Sequence, residues 1–181
     1  MKHTSLNDGG LFRNVKQDWM RWTAFGVILL LSCFIQMAPF SLQIAGAKPL
    51  LLIAFTVCIA LFVGPLGGGI AGAFAGFLWD IFSTRTLGFN AIILLVVGTA
   101  CGLLIWMMMR NNILTAVLLT AGACLTQIIL DWGFHYLLFD RGNEWDALLS
   151  IYLPNGLYTV LISPLVYWVV LITVKHLRSR E

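Results

Sequence analysis

The chain reads as an all-α polytopic membrane protein, six transmembrane helices in one bundle, and three observations predict this. First, 60% of its 181 residues are hydrophobic and 10% are charged, with a mean hydropathy of +0.90. A soluble domain carries about 45–50% apolar and about 25% charged residues. Second, the charges gather at the ends, in Lys2, Asp8, Arg13, Lys16, Asp18 and Arg21 and again in Lys175, Arg178, Arg180 and Glu181. Third, the apolar runs are continuous and lack the two-residue alternation of an outer-membrane barrel. A soluble enzyme, a disordered chain and a nucleic-acid binder of the basic-patch kind are excluded.

A span needs about 20 apolar residues to cross about 30 Å of hydrocarbon, so six spans use about 120 residues and leave short loops. The first runs over Trp22–Phe40. Small residues at Ala45–Gly46–Ala47 raise a cleaved signal peptide as an alternative, but the apolar run and the segment before it are long for one, so an uncleaved helix is expected. Pro49–Val63 and Leu66–Phe82 follow, with only Gly64–Pro65 between them. A tight hairpin is the expected arrangement and a broken re-entrant pair the alternative. Leu87–Met109 is the fourth span. Ile113–Phe139 is overlong, so it tilts or projects. Leu153–Val174 is the sixth, with Pro164 expected to bend it. Residues 1–21 are then an N-terminal cytoplasmic segment, 22–174 the membrane domain and 175–181 a cytoplasmic tail.

With an even number of spans both ends share a side. That side collects eight basic residues, Lys2, Arg13, Lys16, Arg21, Arg110, Lys175, Arg178 and Arg180, against Lys48, Arg85 and Arg141 opposite. The positive-inside rule places both termini in the cytoplasm, where these side chains also suit anionic membrane lipid. Cys33, Cys58, Cys101 and Cys124 fall in different spans with no paired spacing. They read as small apolar residues rather than as a metal set or disulfides.

Polar groups within the spans each need a reason. Gly68, Gly72, Gly76 and Asp80 repeat at four, a spacing that lets another helix backbone approach closely. The ladder serves either packing inside the bundle, the preferred reading, or docking of another protein's helix. Asp80 precedes Ser83, Arg85 and Gly88 and a fourth span containing Asn90. It reads as a turn lock that pairs with Arg85 or accepts hydrogen bonds from the start of that span. Gln127, Asp131 and His135 repeat at four in the fifth span, as do Asn155, Thr159 and Ser163 in the sixth. A hydrogen-bond network between the two rows is preferred over a proton relay. With the assumed orientation, Asp80, Asn90, Asp131, His135 and Asn155 lie in the outer half, lining a polar cavity or a face for an extracytoplasmic partner. No Walker loop, zincin pair, nucleophile elbow or Cys/His metal set occurs. No catalytic residue, cofactor or metal is expected.

Lys48–Pro49–Leu50–Leu51–Leu52, Gly64–Pro65–Leu66–Gly67–Gly68–Gly69–Ile70–Ala71–Gly72, Gly76–Phe77–Leu78–Trp79–Asp80–Ile81–Phe82–Ser83 and Leu87–Gly88–Phe89–Asn90–Ala91 follow one another in the chain. This ordered combination resembles the MreD family of bacterial rod-shape-determining membrane proteins. Leu50 departs from the family pattern, where an acidic residue often follows the proline. The resemblance implies a non-catalytic inner-membrane scaffold of the elongation machinery, with MreC as its main partner. MreB, RodA and its class B transpeptidase would be contacted directly or indirectly. It also implies a fold similar to the substrate-capture subunits of energy-coupling-factor transporters, and the alternative function is therefore capture of a small molecule such as a vitamin.

Overall fold

The computed structural model describes residues 8–38, 48–83, 88–108, 112–139 and 152–178. Among them the regular elements are helices: α1 (Asp8–Met37), α2 (Leu51–Val63), α3 (Pro65–Phe82), α4 (Phe89–Met108), α5 (Ile113–Phe139) and α6 (Leu153–Arg178). All but α2 are long and apolar enough to cross a membrane. Large apolar side chains cover the outside, among them Leu66, Trp106, Leu114, Leu157 and Leu161. Water would not tolerate so continuous an apolar surface on a monomer. This is the surface of a multi-pass membrane protein.

The short helix lies at the centre. Ten of the thirteen residues of α2 are buried, and α2 touches each of the other five helices. Those five close a ring around it in the order α1, α3, α4, α5, α6. With thirteen residues α2 extends about 20 Å, short of the about 30 Å hydrocarbon thickness. A longer helix would carry its ends out to water. This one needs its neighbours to satisfy them.

The largest boundary difference from the sequence expectations is at the start of the first helix. The first helix begins at Asp8 rather than Trp22, so much of the N-terminal segment continues the first span as helix. Pro164 lies inside α6 without ending it. Proline removes the N–H that would bond the carbonyl four residues back, Val160. The Ser163 hydroxyl donates to that carbonyl oxygen at 2.7 Å and replaces the lost donor. Ser163 is itself fully buried, where no water could do the same.

α2 and α3 form the expected hairpin. Gly64 turns the chain with φ of 88°, in the left-handed region that favours glycine, and Pro65 starts α3 at the position where its missing N–H costs nothing. From there α3 and α4 run antiparallel in a register set by small residues. A side chain on Gly68 would meet the Gly98 carbonyl and Ala60; one on Gly72 would strike the backbone of Leu94; one on Gly76 would strike Asn90 and Ala91. On α4, Gly98 returns the contact to Gly68 and Gly102 lies against Pro65. The backbones are thus in direct contact along the hairpin. Lipid is as apolar as a leucine side chain, so this close packing supplies attraction that apolar burial cannot supply in a membrane.

The ladder's face is occupied by α4 of the same chain. A Gly76→Ala substitution is expected to destabilise the protein by about 1–3 kcal/mol, because backbone rather than a flexible side chain must yield. Gly122→Ala, where nothing lies within 4 Å of the new methyl, is expected to be neutral or stabilising by up to about 1 kcal/mol. Unfolding midpoints of the two variants in mixed micelles provide the comparison.

Candidate functional site

The N-termini of α2 and α4 face the same end of the bundle, because the α2–α3–α4 meander reverses direction at each turn. α6 starts there too, since Asn155 in its first turn reaches Lys48. α1 runs parallel to α3, with Phe34 packed on Phe82 at 6.1 Å between ring centroids. The buried polar groups Asp80, Asn90, Gln127 and Asp131 belong to this half of the bundle, which we call the polar end.

The first four N–H groups of any helix lack partners within it, and the N-cap side chain ordinarily takes one of them. The N-cap of α4 is Gly88, which has φ of 95° and no side chain. Its function passes to Asp80 at the end of α3. Asp80 Oδ2 accepts the N–H groups of Gly88 at 2.8 Å and Ala91 at 3.2 Å. Oδ1 accepts the Asn90 N–H at 3.3 Å and the Asn90 side-chain amide at 2.9 Å. Asp80 is 1% exposed. A carboxylate at a partly buried helix N-terminus gains up to about 2 kcal/mol from the helix dipole, and this offsets part of its desolvation. Ser83 closes the other side of the turn, its hydroxyl donating to the Asp80 carbonyl at 3.3 Å. Arg85, the other expected partner of Asp80, lies outside the described residues.

From Asp80 the network crosses to α5. A carboxylate only accepts, so the NH2 group of Asn90 faces Asp80 and its Oδ1 faces away. The NH2 group of Gln127 donates to that Oδ1 at 2.7 Å, which turns Gln127 Oε1 onward. That oxygen is buried and has no hydrogen-bond partner among the described residues. The accepting oxygens of Asp80 therefore set both amide orientations and leave Gln127 Oε1 at the far end of the row. Beside it Phe89 stacks on Phe134 at 4.6 Å between centroids, holding the same α4–α5 seam.

α2 is capped in the same borrowed fashion. Its N-cap, Leu50, offers no side-chain acceptor. Asn155 Oδ1 accepts the Lys48 N–H at 2.7 Å and Thr159 Oγ1 accepts the Leu50 N–H at 2.8 Å, both from α6. Gln36 Oε1 of α1 accepts the Leu52 N–H at 3.0 Å. The Thr159 hydroxyl in turn donates to the Asn155 carbonyl at 2.7 Å.

The polar residues named from the sequence thus divide into two groups. Asp80, Asn90 and Gln127 form one row. Asn155 and Thr159 serve α2 rather than the fifth-span row that their spacing suggested. Asp131 accepts a hydrogen bond from the Tyr152 hydroxyl at 2.9 Å, tying α5 to the start of α6. His135 is on α5, one turn past Asp131, with its side chain outside the described residues. Gly68, Gly72 and Gly76 lead along α3 to Asp80, so the ladder aims the carboxylate at the end of α4.

Two participants escape the sequence reading. Gln36 is a lone amide near the end of the first apolar run, and that isolation was its only signal. Gly98 and Gly102 repeat at four on the fourth span, the complement of the α3 ladder. Among the described residues no group of three or more His, Cys, Asp or Glu side chains is placed to hold a metal ion. The arrangement joins helix ends and holds them still. Comparison of the chain with protein-family models, with curated proteins and with solved structures finds no match.

Asp80→Ala leaves three N–H groups and an amide without their acceptor, and is expected to cost about 3 kcal/mol or more. Gln127→Leu removes one unsatisfied buried oxygen but leaves Asn90 Oδ1 without its donor, so a loss of about 1 kcal/mol, well below that of Asp80→Ala, is expected. Asn90→Leu breaks both links of the row and should exceed Gln127→Leu by about 1–2 kcal/mol. A double-mutant cycle of Asp80→Ala with Asn90→Leu measures the coupling directly, and additivity of the two losses would contradict the row.

Proposed function

We propose that this protein is a non-catalytic scaffold of the bacterial inner membrane, an MreD-like component of the elongation machinery that holds MreC and supports lateral wall synthesis and rod shape. The observation that carries the reading is the use made of the residues bearing the resemblance. From Lys48 to Ala91 they form the α2–α3–α4 meander, in which Gly64 and Gly88 turn the chain, the glycine ladder packs it and Asp80 caps it. Such residues favour a rigid platform over chemistry. In this reading six helices cross the membrane, α2 included, and the basic ends keep both termini in the cytoplasm. MreB filaments, RodA and its class B transpeptidase are then engaged directly or through MreC.

The test is capture of MreC by the affinity-tagged chain, co-expressed and extracted in mild detergent, alongside cell shape on depletion. Co-purification in constant ratio and conversion of rods to spheres are expected. Cells that stay rod-shaped without this chain would overturn the proposal. Gly72→Ile and Gly76→Ile are unsuitable probes of the contact, because both substitutions strike α4 of the same chain.

A second reading, capture of a vitamin-like molecule for an energy-coupling-factor transporter, is favoured by one observation. Gln127 Oε1 is a buried acceptor without a partner among the described residues, and Asp131 follows it one turn along α5. A ligand-dependent rise in melting temperature across a vitamin panel, abolished in Gln127→Leu, is its expected signature.

A further inference from the structure

The outer wall of the bundle has a groove of about 210 Å³ between α1 and α3. Phe25, Leu29 and Ala71 form its floor and are almost fully buried, whereas Trp22, Ile70 and Phe74 rise around it and are exposed. Gly26 leaves the gap: a side chain there would meet nothing within 4 Å. The groove is apolar and open along the side of the protein that faces lipid.

Its charged surroundings point to the occupant. Arg21 lies on α1 four residues before Phe25 and eight before Leu29, on the stripe that forms the floor. It therefore stands one turn beyond the groove, toward the end opposite the polar end. α6, which runs antiparallel to α1 and contacts it, brings exposed Lys175 to that end. Trp22 sits at the junction, as amphipathic indole rings do at the headgroup level. A guanidinium offers five N–H donors and grips phosphate in a fork. Basic residues beside an apolar crevice between helices suit an anionic lipid head group.

We propose that the α1–α3 groove binds one anionic phospholipid, an acyl chain lying over Gly26 and the phosphate held by Arg21. Annular lipid exchanges freely along a convex helix face. A chain seated between Trp22 and Phe74 is held on three sides, and the charge below selects its head group.

Native mass spectrometry of the full chain, delipidated in detergent and titrated with phosphatidylglycerol or phosphatidylcholine of matched acyl chains, tests the proposal. The wild-type protein should retain one phosphatidylglycerol at least fivefold more strongly than phosphatidylcholine. Gly26→Leu fills the groove at a position with room for it, and should abolish that retention while circular dichroism and the melting temperature stay unchanged. Arg21→Gln should bring phosphatidylglycerol down to the phosphatidylcholine level. Should Gly26→Leu fail to fold, Ile70→Ala, which removes one exposed wall, is expected to weaken retention in the same direction. Unchanged phosphatidylglycerol retention in the folded groove variant, or an unchanged lipid preference in Arg21→Gln, overturns the proposal. So does a Gly26→Leu protein that loses a co-purifying membrane protein while keeping its lipid, since the groove would then seat a partner helix.

Discussion

Two helices in this bundle begin at partly buried positions, on residues that cannot cap them. Leu50 carries an apolar side chain and Gly88 carries none. An unpaired N–H group in an apolar setting costs on the order of 1–3 kcal/mol, and each helix begins with several. The acceptors come from elsewhere: Asp80 for α4, and Thr159 and Gln36 for α2, with Asn155 holding the Lys48 N–H just ahead of it. Borrowed caps of this kind do two things at once. They satisfy the backbone, and they bind α1 and α6 to α2 and α3 to α4 in one relative position.

The glycine ladder is the second half of the same device. Asp80 can reach three backbone donors of α4 only if the two helices approach to backbone contact, and Gly68, Gly72 and Gly76 permit that approach. A polar lock without close packing would leave the carboxylate short of its partners. Close packing without the lock would leave α4 free to slide in register, since one glycine–backbone contact resembles the next. Together they define a rigid hairpin against which α2 is enclosed. The opposite, lipid-facing side of α3 has no such constraint. There the spaces are open, as at the groove over Gly26.

Much of this was legible in the sequence. The apolar runs reveal the helices because a membrane demands about 20 such residues, and Gly64–Pro65 reveals the hairpin because few other residues turn so sharply. Asp80 stood out because an isolated carboxylate in an apolar run requires a reason. Its role at the start of the fourth span was among the options that local spacing left open. Asn155 and Thr159 were visible as a row, but not their destination. A four-residue repeat shows which side chains share a face of one helix; it says nothing about which neighbour that face meets. Gln36 was invisible as a cap for the same reason, lying sixteen residues from the N–H it accepts.

The sequence by itself determined that this is a helical membrane protein, where its helices lie, where its sharp turns fall and which residues are too polar or too small to be ordinary. Those properties depend on neighbours in the chain and on the solvent, and both can be read one position at a time. Only the tertiary structure decided that the shortest helix occupies the centre, that α4 of the same chain covers the glycine ladder, and that the polar rows divide between two helix ends. Those outcomes depend on the order of helices around the ring. Hydrocarbon favours no apolar face over another, so that order is set by backbone contact and by hydrogen bonds between residues distant in sequence.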